Sequence, residues 1–152
     1  MHRSGCQVTA VTLRAVLLDH DGTLVDSEPV HFLVWKQVLA PYGFVLTEEQ
    51  YRSRYAGVPT LANAHDLVQR FGVAADPVTL AEEKNAATRD HLRRSAFPLL
   101  PGVREALATF AGLGLRLAVV TGASAFGVEA TLRAHGLASR FAVVVSVDDV
   151  RH

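Results

Sequence analysis

The segment Ala15-Val16-Leu17-Leu18-Asp19-His20-Asp21-Gly22-Thr23 restricts the fold more than any other stretch of this 152-residue chain. Four apolar residues cut off by a Gly-Thr turn signal predict a short strand buried in a parallel sheet. In open α/β sheets the chemistry gathers beyond the carboxyl ends of the strands, which is where Asp19 and Asp21 fall. Alternation along an extended chain lets Asp19 and Asp21 converge while His20 points away. Two converging carboxylates can divide labour, one as nucleophile or metal ligand and the other as general acid.

The rest of the chain alternates around that strand unevenly. Glu28 to Ala96 reads as entirely helical. Val30, Leu33, Val34 and Val38 carry helical spacing, with Phe32 and Trp35 on flanking positions. Thr47 and Gln50 form a capping box for a second helix. Thr60 is placed to cap a third, whose Leu61, Ala64, Leu67, Val68 and Phe71 share one face ending at Gly72. Asp76-Pro77 opens a fourth that runs to about Arg94. Phe97-Pro98-Leu99-Leu100-Pro101-Gly102 reads as a hinge, because its prolines interrupt any continuous helix. A helix from Val103 to Gly112 or Gly114, a strand Leu115 to Val120, a helix Phe126 to His135 and a strand Phe141 to Val145 complete the pattern. Helices joining short apolar strands predict an α/β, Rossmann-like parallel sheet of about three strands with right-handed crossovers. The helical stretch is then an insertion after the first strand. The resulting division is a leader at 1–13, a partial core at 14–27 and 98–152, and a helical cap at 28–97.

The motif Asp19-His20-Asp21-Gly22-Thr23, continued by Leu24-Val25-Asp26-Ser27-Glu28, resembles the opening motif of the haloacid dehalogenase-like superfamily. Its form is similar to the helical-cap branch that includes phosphoglycolate phosphatase-like and β-phosphoglucomutase-like enzymes. The resemblance implies that Asp19 attacks phosphorus to form an aspartyl-phosphate while Asp21 acts as general acid and base. It also implies Mg2+ held through Asp19 and Asp21. An acid at position 21 separates phosphoryl transfer from dehalogenation in that superfamily. Val119-Val120-Thr121-Gly122-Ala123-Ser124 is the second element. A hydroxyl and backbone N–H groups at a strand-to-helix turn suit phosphate oxygens. The resemblance gives Thr121, Gly122 and Ala123 that role. Ser124 reads equally as a helix cap.

Cap residues extend the likeness. His31-Phe32-Leu33-Val34-Trp35 matches a His-Phe-x-x-Trp pattern, which puts His31 within reach of an interdomain cleft, although a partly buried helix histidine fits as well. Gly57 and Thr60 lie in a loop similar to the one that inspects the leaving group. Lys84 matches a basic cap position, against the plainer expectation that Glu82-Glu83-Lys84 decorates a solvated face. Phosphosugar mutases carry a cation near position 60, which a threonine cannot supply. Phosphomonoester hydrolysis is therefore preferred over mutase activity.

The ending Ser146-Val147-Asp148-Asp149-Val150-Arg151-His152 resembles the sequence just before the family's third-motif lysine, so the third and fourth motifs are expected to lie outside a truncated chain. On that reading Asp148 and Asp149 form a loop rather than a metal site, and Arg151 comes too early to replace the lysine. Losing one transition-state donor typically costs about 10²–10³ in rate. Impaired turnover is expected, with a catalytically inactive fragment binding a phosphorylated ligand or a partner protein as the alternative. A receiver-like signalling domain is disfavoured by the long helical insertion. The family's first strand lies between two others, so here Ala15 to Leu18 is expected at an exposed apolar edge that favours self-association.

Charge excludes some partners. Fifteen basic residues balance fifteen acidic ones, which gives no global field for nucleic acid or an anionic membrane. Cys6 stands alone, so no internal disulfide can form. The histidines show no zinc-ligand spacing. No apolar stretch approaches the roughly 20 residues that span a bilayer. The first twelve residues lack a secretory h-region. The expected partner is a small phosphorylated metabolite in the cytoplasm.

Overall fold

The computed structural model describes residues 12–150. Most of the expected leader, with Cys6, lies outside the described residues, as does Arg151. Strands β1 (Ala15–Leu18), β2 (Arg116–Val120) and β3 (Val143–Val145) form one parallel sheet in the order β1-β2-β3. The later two strands start one or two residues after the expected positions. Leu115 is held back because its N–H bonds the Phe110 carbonyl.

Between β1 and β2 the chain is helical: α1 (Glu28–Leu39), α2 (Glu48–Arg54), α3 (Thr60–Phe71), α4 (Pro77–Arg94) and α5 (Val103–Gly112). Helix α6 (Ala125–Ala134) links β2 to β3. The local chemistry of the helix ends is mostly as expected. Thr47 and Gln50 form a reciprocal capping box on α2, and the Asp76 carboxylate caps α4 through the Thr79 N–H. Ser124 caps α6 through the Gly127 N–H. Gly72, with φ +67°, ends α3 in a left-handed conformation that glycine adopts without steric penalty. Thr60 does not cap α3. Pro59 holds the cap position, and the Thr60 side chain is free for another partner.

Buried apolar side chains fall into two clusters. One joins the sheet to α5 and α6 through Leu117, Val119, Val103, Leu107, Val128 and Leu132. The other lies within α1–α4 and centres on Trp35, Leu39, Tyr51, Leu67 and Leu80. The inward face of α1 is rotated from the expected one. Val34 and Trp35 are buried while Leu33 stays 45% exposed, because placing the indole in this cluster turns Leu33 outward. Leu61 of α3 is likewise exposed.

The two units are joined by two chain crossings. The outgoing segment Leu24–Asp26 and the returning segment Pro98–Leu100 bond each other, Asp26 N–H to Pro98 O and Leu100 N–H to Leu24 O, with Val25 and Leu99 in antiparallel bridge. The expected hinge at 97–102 contains this returning segment, with Leu99 as its bridge residue.

One face of the sheet carries α5 and α6. The opposite face is bare among the described residues. Leu17, Ala118 and Val143 line up across it, followed by Val120 and Val145. Leu17 is 65% exposed and Val143 53%. Parallel sheets are ordinarily covered on both faces.

Candidate active site

The parallel pairing of β1 and β2 brings their carboxyl ends side by side, so Asp19 and Thr121 leave the sheet at the same edge. After β1 the chain turns tightly. The His20 carbonyl accepts from both Leu24 and Val25 N–H, and Gly22 takes φ +70°, which favours glycine. Asp19 is exposed, and its Oδ1 accepts the His20 N–H at 2.7 Å. Asp21 is half-buried.

His20 does not point away. Its ring is fully buried, yet Nδ1 lies 3.1 Å from Asp21 Oδ1. Strand alternation ends with β1 at Leu18, and the turn that follows swings the two side chains together. Burial pushes the Asp21 carboxyl up, but the His20 hydrogen bond, the Ser27 hydroxyl beside it and the charges of His20 and His31 outweigh this and hold it below the usual range. Asp21 therefore rests ionised, as a base.

On the β2 side, the Thr121 hydroxyl accepts the Ala123 N–H at 3.1 Å, a local turn that spends one of the three expected phosphate donors. Thr121 and Gly122 both border the cleft.

The helical unit supplies the facing wall. Asp19, Asp21, Thr121, Gly122, Ala123, His31, Gly57, Thr60 and Lys84 all border one cavity of about 840 Å³. The sequence motifs are thus brought together. Lys84 corrects the solvated-face expectation, being only 5% exposed. Its Nζ donates to Thr60 Oγ1 at 3.3 Å and lies 3.4 Å from His31 Nδ1, above the Trp35 ring. A cation from α4 thus stands beside Thr60. Burial drives the Lys84 ammonium down to about 8, against the pull of Asp21 and Glu28. Burial, then the Lys84 charge, lowers His31 to about 4. His31 packs edge-on against Phe97, just before the returning segment.

Two residues escaped the sequence reading of the site. Glu28 accepts from the Tyr51 hydroxyl and, at 3.0 Å, from the Gly57 N–H, tying the first turn of α1 to the α2–α3 loop. Burial and the Glu28 contact raise the Tyr51 phenol above its usual range. Arg89 also borders the cavity. A helical projection from Lys84 would have found it, since Lys84, Asn85, Thr88 and Arg89 lie on one side of α4.

The acids at the chain's end have local jobs. Asp148 accepts from the Ala125 N–H, and Asp149 accepts from both the N–H and the hydroxyl of Ser146. They form a short turn, as expected. Among the described residues no three His, Cys, Asp or Glu side chains converge as a metal cage. Asp19 and Asp21 still fit Mg2+ in kind. It is often bound by one or two carboxylates together with waters and substrate phosphates, and Asp19 faces the cleft.

The comparison with known proteins agrees with this geometry. Residues 16–152 match the family model described as haloacid dehalogenase-like hydrolase. The chain belongs to that family. It is 35% identical over 137 residues to the fructose-1-phosphate phosphatase YqaB of Escherichia coli, covering 90% of this chain and 71% of that protein. It is 30% identical to a phosphorylated carbohydrates phosphatase of Thermotoga maritima, covering 92% of this chain and 64% of the other. The fold is also that of CbbY from Rhodobacter sphaeroides in its phosphate complex, with TM-score 0.76 at 24% identity over 93% of this chain and 66% of the other. The chain thus spans about two thirds of the length of these relatives. Among the described residues no helix is long and apolar enough to cross a membrane.

Proposed function

We propose that this family member is a phosphomonoester hydrolase that works through an aspartyl-phosphate on Asp19 and takes small phosphorylated metabolites. The observation that carries the reading is the shared cavity, with two acids and the Thr121 turn on one wall and a buried cation on the other. In this reading residues 28–97 act as the cap. The Thr121 hydroxyl and Gly122 N–H orient the phosphate, and an Asp19 oxygen attacks phosphorus as the ester oxygen departs. Asp21 rests as a carboxylate, and the phosphate's negative charge raises its proton affinity so that it can protonate the leaving group. It then takes a proton from the water that attacks the aspartyl-phosphate. Mg2+ held by Asp19 and Asp21 would offset the charge gathered between phosphate and carboxylate. Lys84, His31, Thr60 and the Gly57 loop meet the leaving group. The YqaB and Thermotoga likenesses favour a phosphosugar, and the same cleft suits a phosphosugar mutase.

Binding without turnover is the second reading. It is favoured by one observation: the cavity's Lys and Arg side chains, Lys84 and Arg89, both come from α4, leaving Asp19's own wall without either among the described residues. The test is release of inorganic phosphate from fructose 1-phosphate in the presence of Mg2+. Turnover that falls at least about 10³-fold in Asp19→Asn supports hydrolysis. Protection against thermal unfolding by phosphate without turnover supports binding alone. Neither result in hand, with Asp19→Asn indistinguishable from the parent, would end both readings.

A further inference from the structure

His20 hydrogen-bonds both acids. Its main-chain N–H donates to Asp19 Oδ1 at 2.7 Å, and its ring Nδ1 lies 3.1 Å from Asp21 Oδ1. The ring is fully buried and tilted against Phe97, with centroids 6.2 Å apart. Its Nε2 has no hydrogen-bond partner among the described residues. An apolar side chain would fill that space without leaving a polar atom unpaired. The turn does not need an imidazole either, since the Leu24 and Val25 N–H groups bond the His20 main-chain carbonyl. What the ring adds is a hydrogen bond to Asp21. His31 is not its equivalent, because on α1 it stands beside Lys84, 3.4 Å away.

The partners decide which nitrogen carries the proton. A neutral imidazole has one N–H and one lone pair. With the proton on Nε2, the Nδ1 lone pair would face a carboxylate oxygen, two acceptors 3.1 Å apart with no proton between them. A buried N–H would also be left unpaired. With the proton on Nδ1, the ring donates to Asp21 and only a lone pair goes unmet.

We propose that His20 is a positioning residue for the phosphoryl-transfer site: held as the Nδ1–H tautomer, it fixes the Asp21 carboxylate through Oδ1 and leaves the second oxygen to meet the leaving group. The inference deepens the hydrolase reading above and rests on it. His20 touches no substrate and acts through Asp21. In the first step the free oxygen of Asp21 gives its proton to the ester oxygen as the P–O bond breaks, and the imidazole keeps its own proton throughout. A carboxyl free to rotate visits orientations that do not reach that oxygen, and a misplacement of about 1 Å can cost about 10²-fold in rate.

Two variants and one spectrum test this. His20→Leu keeps an apolar filling and removes the N–H, whereas His20→Asn keeps an N–H donor near the place of Nδ1. With Mg2+ present, kcat/KM is compared for fructose 1-phosphate, whose alkoxide needs a proton to leave, and p-nitrophenyl phosphate, whose phenolate leaves without one. His20→Leu should lose about 10²-fold on fructose 1-phosphate and at most a few-fold on p-nitrophenyl phosphate, and His20→Asn should recover to within about tenfold of the parent. An equal loss on both esters means that the ring only fills space and overturns the proposal, as does no loss on either. The spectrum needs no turnover. In the parent chain carrying isotope-labelled histidine, long-range proton–nitrogen correlations of the His20 ring, identified by their absence in His20→Asn, should show Nδ1 protonated and Nε2 bare. A proton on Nε2 overturns the proposal even in an active enzyme. A chain that shows the Nδ1–H tautomer but turns over neither ester loses the hydrolase reading, and with it the positioning role, while the His20–Asp21 bond stands.

Discussion

The helical unit and the sheet solve the burial problem differently. Helices α1–α4 enclose their own core, with Trp35, Leu39, Ala64, Leu67 and Leu80 each no more than 1% exposed. The sheet is packed on one face and presents Leu17, Val120 and Val143 on the other. Both units contribute a wall to the same cavity, so a site can be assembled from a closed body and a half-covered one. A cavity wall thus forms on the half-covered sheet as well as on the closed helical body.

The strongest way to break this contrast is Trp35→Ala. Truncating a fully buried aromatic typically costs about 3–5 kcal/mol. The expected outcome in urea denaturation is a large loss of stability in the helical unit, read from far-UV circular dichroism. A loss below about 1 kcal/mol would mean that the α1–α4 core is not the closed body described.

Lys84→Met tests the polar intrusion in that closed body. The folded-state affinity of Lys84 for its proton is lowered from 10.5 to about 8, so the unfolded chain binds more protons between those values. Stability therefore rises as pH climbs from 8 to 10.5, and below 8 the penalty stands in full, about 3 kcal/mol for an ideal two-state chain. Lys84→Met should raise the melting temperature at pH 7 and lose most of that advantage by pH 10.5. A gain that ignores pH would show that packing, not the buried charge, is responsible.

Leu17→Asp should have the smallest effect on stability, within about 0.5 kcal/mol, since the side chain is mostly exposed. Its readout is association. The bare face and the uncharged β1 edge predict concentration-dependent sedimentation for the parent chain, which the aspartate should suppress. A parent that sediments as a single monomer at all concentrations would remove that expectation.

The same contrast explains what could be read in the sequence. β1 and its acids were legible because a strand-length apolar run, a turn and two carboxylates coincide within nine residues. Caps at Thr47, Asp76 and Ser124 were legible because capping is local chemistry. Lys84 was not, because a cation inside a charged run looks solvated until α1 and the Thr60 turn are folded against it. His20 departs from expectation for a related reason: strand alternation ends with β1 at Leu18, before the acids. Thr60 looks like a local cap in sequence, but its hydroxyl accepts from Lys84 of another helix. Contacts made across the fold were the unreadable part, and at this site they set the charge states.

The clasp formed by Glu28 has a mechanical consequence. Its carboxylate fastens Tyr51 and the Gly57 N–H to the start of α1, directly after the paired crossings at Leu24–Asp26 and Pro98–Leu100. The α2–α3 loop is thereby coupled to the root of the helical unit instead of hanging from it as an independent flap. The crossings themselves are tied to each other by two backbone hydrogen bonds, Asp26 N–H to Pro98 O and Leu100 N–H to Leu24 O. Displacing the α2–α3 loop therefore pulls on the same residues that carry the chain between the two cores.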